Sequence, residues 1–261
     1  MKVFKYTKKS HTFNEDKFFV SKNLFGVIDG ATNLSFKGYK YKSEASILAD
    51  FLKKEILKVK KSFTENTLVD LSKKAVSLNL TSFPSCGISI VKIENNKLKL
   101  FSLGDLDIIY KLKTGEVFNF KKYDLINLDK IALEELKNVA IKRGFSIKNS
   151  LPFITDTLKK HRALKNKKGG YDVFEPLEKP SFAVYTVELP LESVESFIIC
   201  SDGFSSSLTT FNILSSYEEF FKTNPMNVVN EIKKRAEEDK DFNLYPRFKK
   251  IDDITIVKVD L

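Results

Sequence analysis

The sequence has few of the residues that build zinc sites and disulfide frameworks. Its 261 residues include two cysteines, two histidines and no tryptophan. Cys86 and Cys200 each lie in an apolar run typical of a strand, so we predict two buried thiols in a reducing environment. His11 and His161 provide no His/Cys ligand set with them. The composition therefore argues against a structural zinc site and against a disulfide-stabilised secreted protein.

Arginine and long apolar runs are also scarce. Lys and Arg total 44 against 34 Asp and Glu, a net charge of +10, but only four of the basic residues are arginine. Because base recognition in DNA depends on arginine forks, we expect no nucleic-acid partner. The lysines indicate solvated faces or, alternatively, an acidic or phosphorylated partner. No run approaches the roughly 18 apolar residues of a membrane helix, and residues 1–5 lack a hydrophobic signal region, so we expect a cytoplasmic protein without membrane association.

What the chain does have is an ordinary globular composition with 42% hydrophobic residues. Its length is sufficient for a large core, and it contains no repeat, linker or low-complexity segment. We therefore predict one domain over residues 1–261.

Acidic residues recur where apolar, strand-like runs begin or end. One such pair alone would favour an ordinary turn, because Asp-Gly is a common turn dipeptide. The pattern repeats along the whole chain, at Asn14-Glu15-Asp16, Asp29-Gly30, Gly104-Asp105, Ser201-Asp202-Gly203 and Asp252-Asp253-Ile254-Thr255. Strand ends that meet at one edge of a sheet would bring these carboxylates together, where they repel one another unless a cation neutralises them. Since hard divalent cations prefer oxygen ligands, the pattern favours a Mg²⁺ or Mn²⁺ site.

In their order and spacing these motifs resemble the metal-dependent type 2C (PPM) protein serine/threonine phosphatases of bacteria. The resemblance covers residues 11–259. It implies an α+β fold, a four-layer α-β-β-α sandwich of two mainly antiparallel sheets flanked by helices. It also implies two Mn²⁺ or Mg²⁺ ions and a metal-activated water that hydrolyses phosphomonoesters on a phosphorylated protein substrate. We expect a monomer.

The resemblance also assigns roles to individual residues. Asp29, Asp202 and Asp252 are the implied catalytic residues, with Asp29 bridging two metals, the Gly30 carbonyl on one of them, and Asp202 and Asp252 on the other. A third ion would be held by Asp105 and Asp202, with Asp107 as a less expected alternative ligand. Asp16 and Glu15 would lie near the metals, directly or through water, and Asp253 would order the neighbouring ligand.

Two positions depart from the family pattern. His11 stands where many relatives bind the substrate phosphate with arginine, so we interpret it as a phosphate-binding residue or as a plain surface residue. Ala31 and Thr32 follow Asp29-Gly30, where relatives often have a histidine proposed as general acid. These departures leave two alternatives open: a weakly active or inactive module that binds phosphoproteins for regulation, and a hydrolase of a different phosphoester.

The local pattern predicts several elements. Apolar spacing predicts helices over 44–59 with Ser43 as N-cap, over 65–79, and from Asn224-Pro225 onward. Strands are predicted over 85–93, over 98–110 as a hairpin interrupted at Gly104-Asp105, and over 182–189 and 196–202 as members of the second sheet.

Residues 119–182 match the family least, and we interpret them as a variable helical flap. They are predicted to contain helices over 130–143, capped by Asp129, and over 153–163. Residues 205–207 are three serines, and no histidine-based triad is available to activate one of them, so we predict a polar loop or the start of a helix.

Overall fold

The computed structural model describes residues 1–10, 12–32, 42–59, 63–121 and 124–261, without the side chains of 124–126. His11 lies outside these ranges. The strands are β1 (Lys2–Lys8), β2 (Lys17–Val20), β3 (Leu24–Ala31), β4 (Ser85–Glu94), β5 (Lys97–Leu103), β6 (Asp107–Leu112), β7 (Val117–Phe120), β8 (Tyr185–Pro190), β9 (Val194–Cys200) and β10 (Ile254–Asp260). The α-helices are α1 (Glu44–Leu57), α2 (Glu65–Ala75), α3 (Asp124–Arg143), α4 (Ile147–Ser150), α5 (Thr155–Arg162), α6 (Asp202–Thr210), α7 (Tyr217–Lys222) and α8 (Pro225–Glu238).

The strands form two five-stranded sheets. The first has the order β2-β3-β4-β5-β8 and the second the order β1-β10-β9-β6-β7. Every strand pair in the described part of the chain is antiparallel. Two registers matter for the site: Asp29 lies opposite Gly87 in the first sheet, and Asp107 lies opposite Cys200 in the second.

The two sheets pack face to face, with helices outside both. Side chains of alternate positions, such as Phe25 and Val27 from β3 and Phe197 and Ile199 from β9, form a buried cluster between the sheets, because successive strand residues point to opposite faces. The intervening residues of β3 and β4 pack against α1 and α2, and those of β9 and β10 pack against α6 and α8. The predicted four-layer sandwich is confirmed.

The helix boundaries follow from their caps. Ser43 accepts a hydrogen bond from Ser46 N at 3.1 Å and starts α1 as predicted. Asn224 caps α8, and Pro225 occupies the first turn, where its missing N–H has no cost. After α2, a 3₁₀ turn over Val76–Leu78 ends at Asn79 in the left-handed region.

Three local predictions are wrong. Residues 98–110 do not form a hairpin: β5 pairs with β4 and β8, whereas β6 pairs with β7 and β9 in the other sheet. Likewise β8 and β9 belong to different sheets. Asp129 is not a helix cap, because α3 already begins at Asp124. In the first two cases the chain crosses from one sheet to the other, which local patterns do not reveal.

The segment between β7 and β8 contains α3, α4 and α5, and its helices end at Arg162. A 3₁₀ turn over Leu151–Ile154 leads directly into α5. α3 and α4 share a small apolar cluster with Phe242, which follows α8. None of the helices in the described ranges combines the length and apolarity required to cross a bilayer.

Candidate metal centre

Strand alternation places Asp29 on the inner face of the first sheet. Phe25 and Val27 of β3 are buried between the sheets. Asp29 lies two residues after Val27, so its side chain is on the same face of the strand. Asp16 directly precedes β2 and is itself 1% exposed. Strand alternation places its side chain on the same face as those of Phe18 and Val20, which pack against the same inner cluster. Both carboxylates therefore lie where the space between the sheets opens.

Pairing within the first sheet brings Asp105 to the same edge. Gly87 is the partner of Asp29, and a Cβ built on Gly87 would lie 3.3 Å from Asp105 Oδ1 and 2.3 Å from Leu106 Cδ1. Gly104 has a φ of +94°, and a Cβ there would lie 2.8 Å from the Gly87 Cα. Two glycines thus let the β5–β6 crossover approach β4 closely and carry Asp105 beside Asp29.

The second sheet contributes Asp202 and Asp252. Asp202 is the first residue of α6, directly after β9, where a carboxylate is favoured by the N-terminal end of the helix. A Cβ on Gly203 would lie 2.9 Å from Asp252 Cβ, so Gly203 brings these two acidic positions together.

The carboxylates affect one another electrostatically. Burial raises the pKa of Asp29 well above its ordinary value, and the negative charges of Asp16, Asp202 and Asp105 raise it further. Burial raises the pKa of Asp16 to about 7 and that of Asp105 to about 6, and the charge of Asp202 acts in the same direction on both. Asp16, Asp29, Asp105 and Asp202 therefore lie close enough for their charges to interact.

The donor chemistry of this cluster fits a divalent cation. Two of its buried oxygens, Asp16 Oδ2 and Asp202 Oδ1, accept no hydrogen bond from the described residues, which costs about 1–3 kcal/mol for a buried polar atom. Hard cations prefer carboxylate ligands of this kind. In the ranges that the structure describes, however, no group of three His, Cys, Asp or Glu side chains is arranged to hold a metal ion. The fit therefore rests on charge and unpaired oxygens, not on a closed ligand set.

Asp107 is not available as an alternative ligand. It forms a buried ion pair with Lys121 at 3.0 Å and accepts hydrogen bonds from Asn119 Nδ2 at 2.6 Å and from the Ser205 hydroxyl. Ser205 is thus a structural hydroxyl in α6. The three serines, predicted as a polar loop or the start of a helix, lie in the middle of α6, which begins at Asp202. The ion pair joins β6 to the residue that follows β7, and the hydrogen bond from Ser205 joins β6 to α6.

Asp253 orders the N-terminal segment of the site. Its two carboxylate oxygens accept hydrogen bonds from Ser10 N and Glu15 N, both at 2.7 Å. Glu15 in turn accepts hydrogen bonds from the Thr32 hydroxyl and, at 3.3 Å, from Thr32 N. Asp253 and Thr32 therefore hold Glu15 and the neighbouring Asp16 against the ends of β3 and β10.

Sequence reasoning missed Arg162. It comes from α5, 130 residues beyond its partner, and its Nη1 donates a hydrogen bond to the Thr32 carbonyl at 2.6 Å. The sequence around it predicted only a variable helical flap. The contact shows that α5 reaches the loop that follows Asp29-Gly30.

A cavity of about 390 Å³ opens beside Asp202 and Asp252. It is lined by α3, α6 and the loop before β10, and Lys249 of that loop also faces it. Lys249 pairs with the Asp252 carboxylate. The cavity provides space for a substrate group next to the carboxylate cluster.

The raised pKa values predict an unusual pH dependence of stability without metal. The folded protein holds protons on Asp16 up to about pH 7 and on Asp105 up to about pH 6, whereas the unfolded chain releases them near pH 3.8. The stabilisation is therefore complete below pH 3.8 and is lost as pH rises through these folded values. In EDTA we expect the melting temperature to fall by several degrees from about pH 5 to about pH 8.

Differential scanning fluorimetry with and without Mn²⁺ checks this expectation. Burial also raises the pKa of Asp129 to about 7 and that of Asp29 well above its ordinary value, so both carboxyls add to the fall in the same direction. Asp16→Asn removes one titrating group and should reduce the fall, and Mn²⁺ should reduce it further. A melting temperature in EDTA that does not change between these two pH values would contradict the clustering of the carboxylates.

Gly203 offers a test of how the site is packed. A Cβ at this position would lie 2.0 Å from the Asp253 carbonyl oxygen, so Gly203→Ala forces α6 away from the start of β10. We expect a loss of about 1–3 kcal/mol in the free energy of unfolding, measured by urea denaturation. The control, Ser206→Ala at an exposed position of the same helix, should leave the stability within about 0.5 kcal/mol.

The fold of this chain, in contrast to its sequence, is similar to that of known proteins. No protein-family model matches the sequence, and no curated protein matches it. The structure, in contrast, is similar to serine/threonine phosphatase Stp1 from Staphylococcus aureus, with a TM-score of 0.58, 9% identity, and coverage of 99% of this chain and 94% of that chain. It is also similar to the Mycobacterium tuberculosis serine/threonine phosphatase PstP/Ppp, with a TM-score of 0.56, 14% identity, and coverage of 100% and 98%.

A third solved structure is the catalytic domain of PstP in complex with two manganese ions. Its TM-score is 0.55 at 13% identity, and the match covers 99% of this chain and 97% of that one. The chain therefore has the fold of the type 2C serine/threonine phosphatases over its whole length. The fold implied by the sequence resemblance is confirmed.

Proposed function

We propose that this protein is a metal-dependent phosphatase that removes phosphate from serine or threonine residues of phosphorylated proteins. The observation that carries the proposal is the cluster of Asp16, Asp29, Asp105 and Asp202 at one edge of the sandwich, where burial and the neighbouring negative charges raise the pKa values of Asp16, Asp29 and Asp105. Four such carboxylates are destabilising without a counter-charge. The fold, which is that of serine/threonine phosphatases, supports the same conclusion.

The proposed ligands are those expected from the sequence. Asp29, the Gly30 carbonyl, Asp202 and Asp252 would hold two Mn²⁺ or Mg²⁺ ions, and Asp105 would hold a third together with Asp202, with Asp16 nearby. When bound, such ions supply a water nucleophile at neutral pH and stabilise charge on the phosphoryl oxygens. The PstP catalytic domain, which binds two manganese ions, supports this choice of metal.

The other residues position this set. Asp253 and Thr32 hold the segment that carries Asp16 through hydrogen bonds with Glu15. Ala31 is exposed and has no titratable group, so it cannot protonate the leaving group. The proton for the departing alkoxide would therefore come from water or from a side chain other than that of residue 31.

The first experiment is hydrolysis of p-nitrophenyl phosphate and of a phosphoserine peptide, each with Mn²⁺, Mg²⁺ or EDTA. Activity on both substrates that requires the metal would support the proposal. Hydrolysis of p-nitrophenyl phosphate without hydrolysis of the peptide would favour a different phosphoester.

The second candidate is a regulatory module that binds phosphoproteins, and Ala31 is the observation that favours it. Such a module would bind the phosphoserine peptide but hydrolyse neither substrate. Peptide binding measured by fluorescence anisotropy, alongside the kinetic assays, separates the two functions.

A further inference from the structure

We propose that Lys249 exchanges partners at the metal centre: it neutralises Asp252 in the metal-free protein, a divalent cation displaces it, and it then binds the phosphate of the substrate. The inference rests on the proposed function and deepens it by assigning a phosphate-binding residue. The sequence resemblance suggested His11 for that role, and His11 lies outside the described residues.

The first observation is the ion pair itself. Lys249 Nζ contacts Asp252 Oδ2, while Asp252 Oδ1 accepts a hydrogen bond from Asp253 N at 2.9 Å. The Lys249 ammonium thus occupies the oxygen of Asp252 that is not engaged by the backbone. A metal ion that binds this oxygen must displace the lysine.

The second observation is that Lys249 is not confined to Asp252. Its side chain lines the same cavity as Asp129 of α3 and Asp202 of α6. Its side chain is 49% exposed, so the flexible stem can move without breaking the core. An ammonium released from Asp252 would therefore stay close to the carboxylate cluster.

The third observation concerns the other cations around the cavity beside Asp202 and Asp252. Lys121 is held by Asp107 at 3.0 Å, and Arg247 is held by Asp239 at 2.6 Å, both in buried pairs. These pairs are structural. Lys130 and Lys250 also line the cavity, and Lys250 pairs with exposed Glu237. Lys249 differs from Lys121, Arg247 and Lys250 because its partner is a proposed metal ligand, so its pairing changes when the metal binds.

Removal of the charge of Lys249 should change the affinities for Mn²⁺ and for phosphate in opposite directions. Lys249→Gln eliminates the cation that competes for Asp252, so Mn²⁺ should bind about two- to fivefold more tightly. The same change removes a charge-assisted contact with phosphate, so inorganic phosphate should bind the Mn²⁺-loaded protein about tenfold more weakly. A residue with a purely structural role would weaken both.

Isothermal titration calorimetry with Mn²⁺, and then with inorganic phosphate in saturating Mn²⁺, tests both effects on the full chain. Lys249→Arg retains the charge and should restore most of the phosphate affinity. Lys250→Gln is the matched control, because it removes the same charge one residue away, where the lysine pairs with exposed Glu237. It should change neither affinity.

The outcomes separate this inference from the proposed function. Unchanged Mn²⁺ and phosphate affinities in Lys249→Gln would overturn the inference even if the wild-type protein is an active phosphatase. Absence of phosphate binding by the Mn²⁺-loaded wild type would also overturn it. Opposite shifts in a protein that hydrolyses no phosphoester would support the partner exchange and contradict the proposed activity.

Discussion

Asp202→Asn is expected to abolish metal-dependent hydrolysis and, at the same time, to stabilise the metal-free protein. The variant removes one negative charge from a site where the charge of Asp202 raises the pKa of Asp29 and Asp105. A neutral amide retains a polar group of the same size but is a poor ligand for a hard cation. We expect kcat for p-nitrophenyl phosphate to fall at least about a thousandfold, since metal stabilisation of the transition state amounts to several kcal/mol.

The expected change in stability can be measured whether or not the protein is an active phosphatase. In EDTA at about pH 8 the variant should melt at a higher temperature than the wild type, because a repulsive charge is gone. Added Mn²⁺ should raise the melting temperature of the wild type and leave that of the variant nearly unchanged. The control is Asp70→Asn on α2, whose side chain is 78% exposed. A variant that retains both activity and the response to Mn²⁺ would refute the assignment of Asp202.

The second large effect is expected at Asp107. Its carboxylate is 1% exposed and pairs with Lys121 at 3.0 Å. Asp107→Ala leaves the Lys121 ammonium buried without its partner, and breaking a buried pair in this way costs about 3–5 kcal/mol in the free energy of unfolding. Urea denaturation in EDTA measures the loss without interference from metal binding.

A double variant distinguishes loss of the pair from loss of volume. Asp107→Leu with Lys121→Met replaces both charges by apolar groups, and we expect it to recover most of the lost stability. Glu134→Gln, which removes an exposed ion pair with Lys137, should change stability by about 0.5 kcal/mol or less. If Asp107→Ala is as mild as that control, the pair contributes little and Asp107 is free to act as a ligand.

Asp105 and Asp107 have the same local sequence context but different roles, which shows the limit of sequence reasoning. Asp105 and Asp107 both flank the short crossover from β5 to β6. The sequence could not say which one is buried in an ion pair, because Lys121 and Ser205, the partners of Asp107, are distant in the chain. Similarly, Arg162 reaches Thr32 only because α5 folds back over the end of β3.

Local chemistry by itself determined much of this protein. Alternating and continuous apolar runs predicted the strands, Ser43 and Asn224-Pro225 predicted helix starts, and repeated carboxylates at strand ends predicted a shared acidic edge. These features depend on neighbouring residues, on side-chain alternation and on caps. The tertiary structure alone decided that β5 and β6, and likewise β8 and β9, lie in different sheets. It also decided that Asp253 accepts hydrogen bonds from the backbone of Ser10 and Glu15. Pairing between sheets and between distant charges depends on how layers pack, and such contacts leave no periodic signal in the sequence.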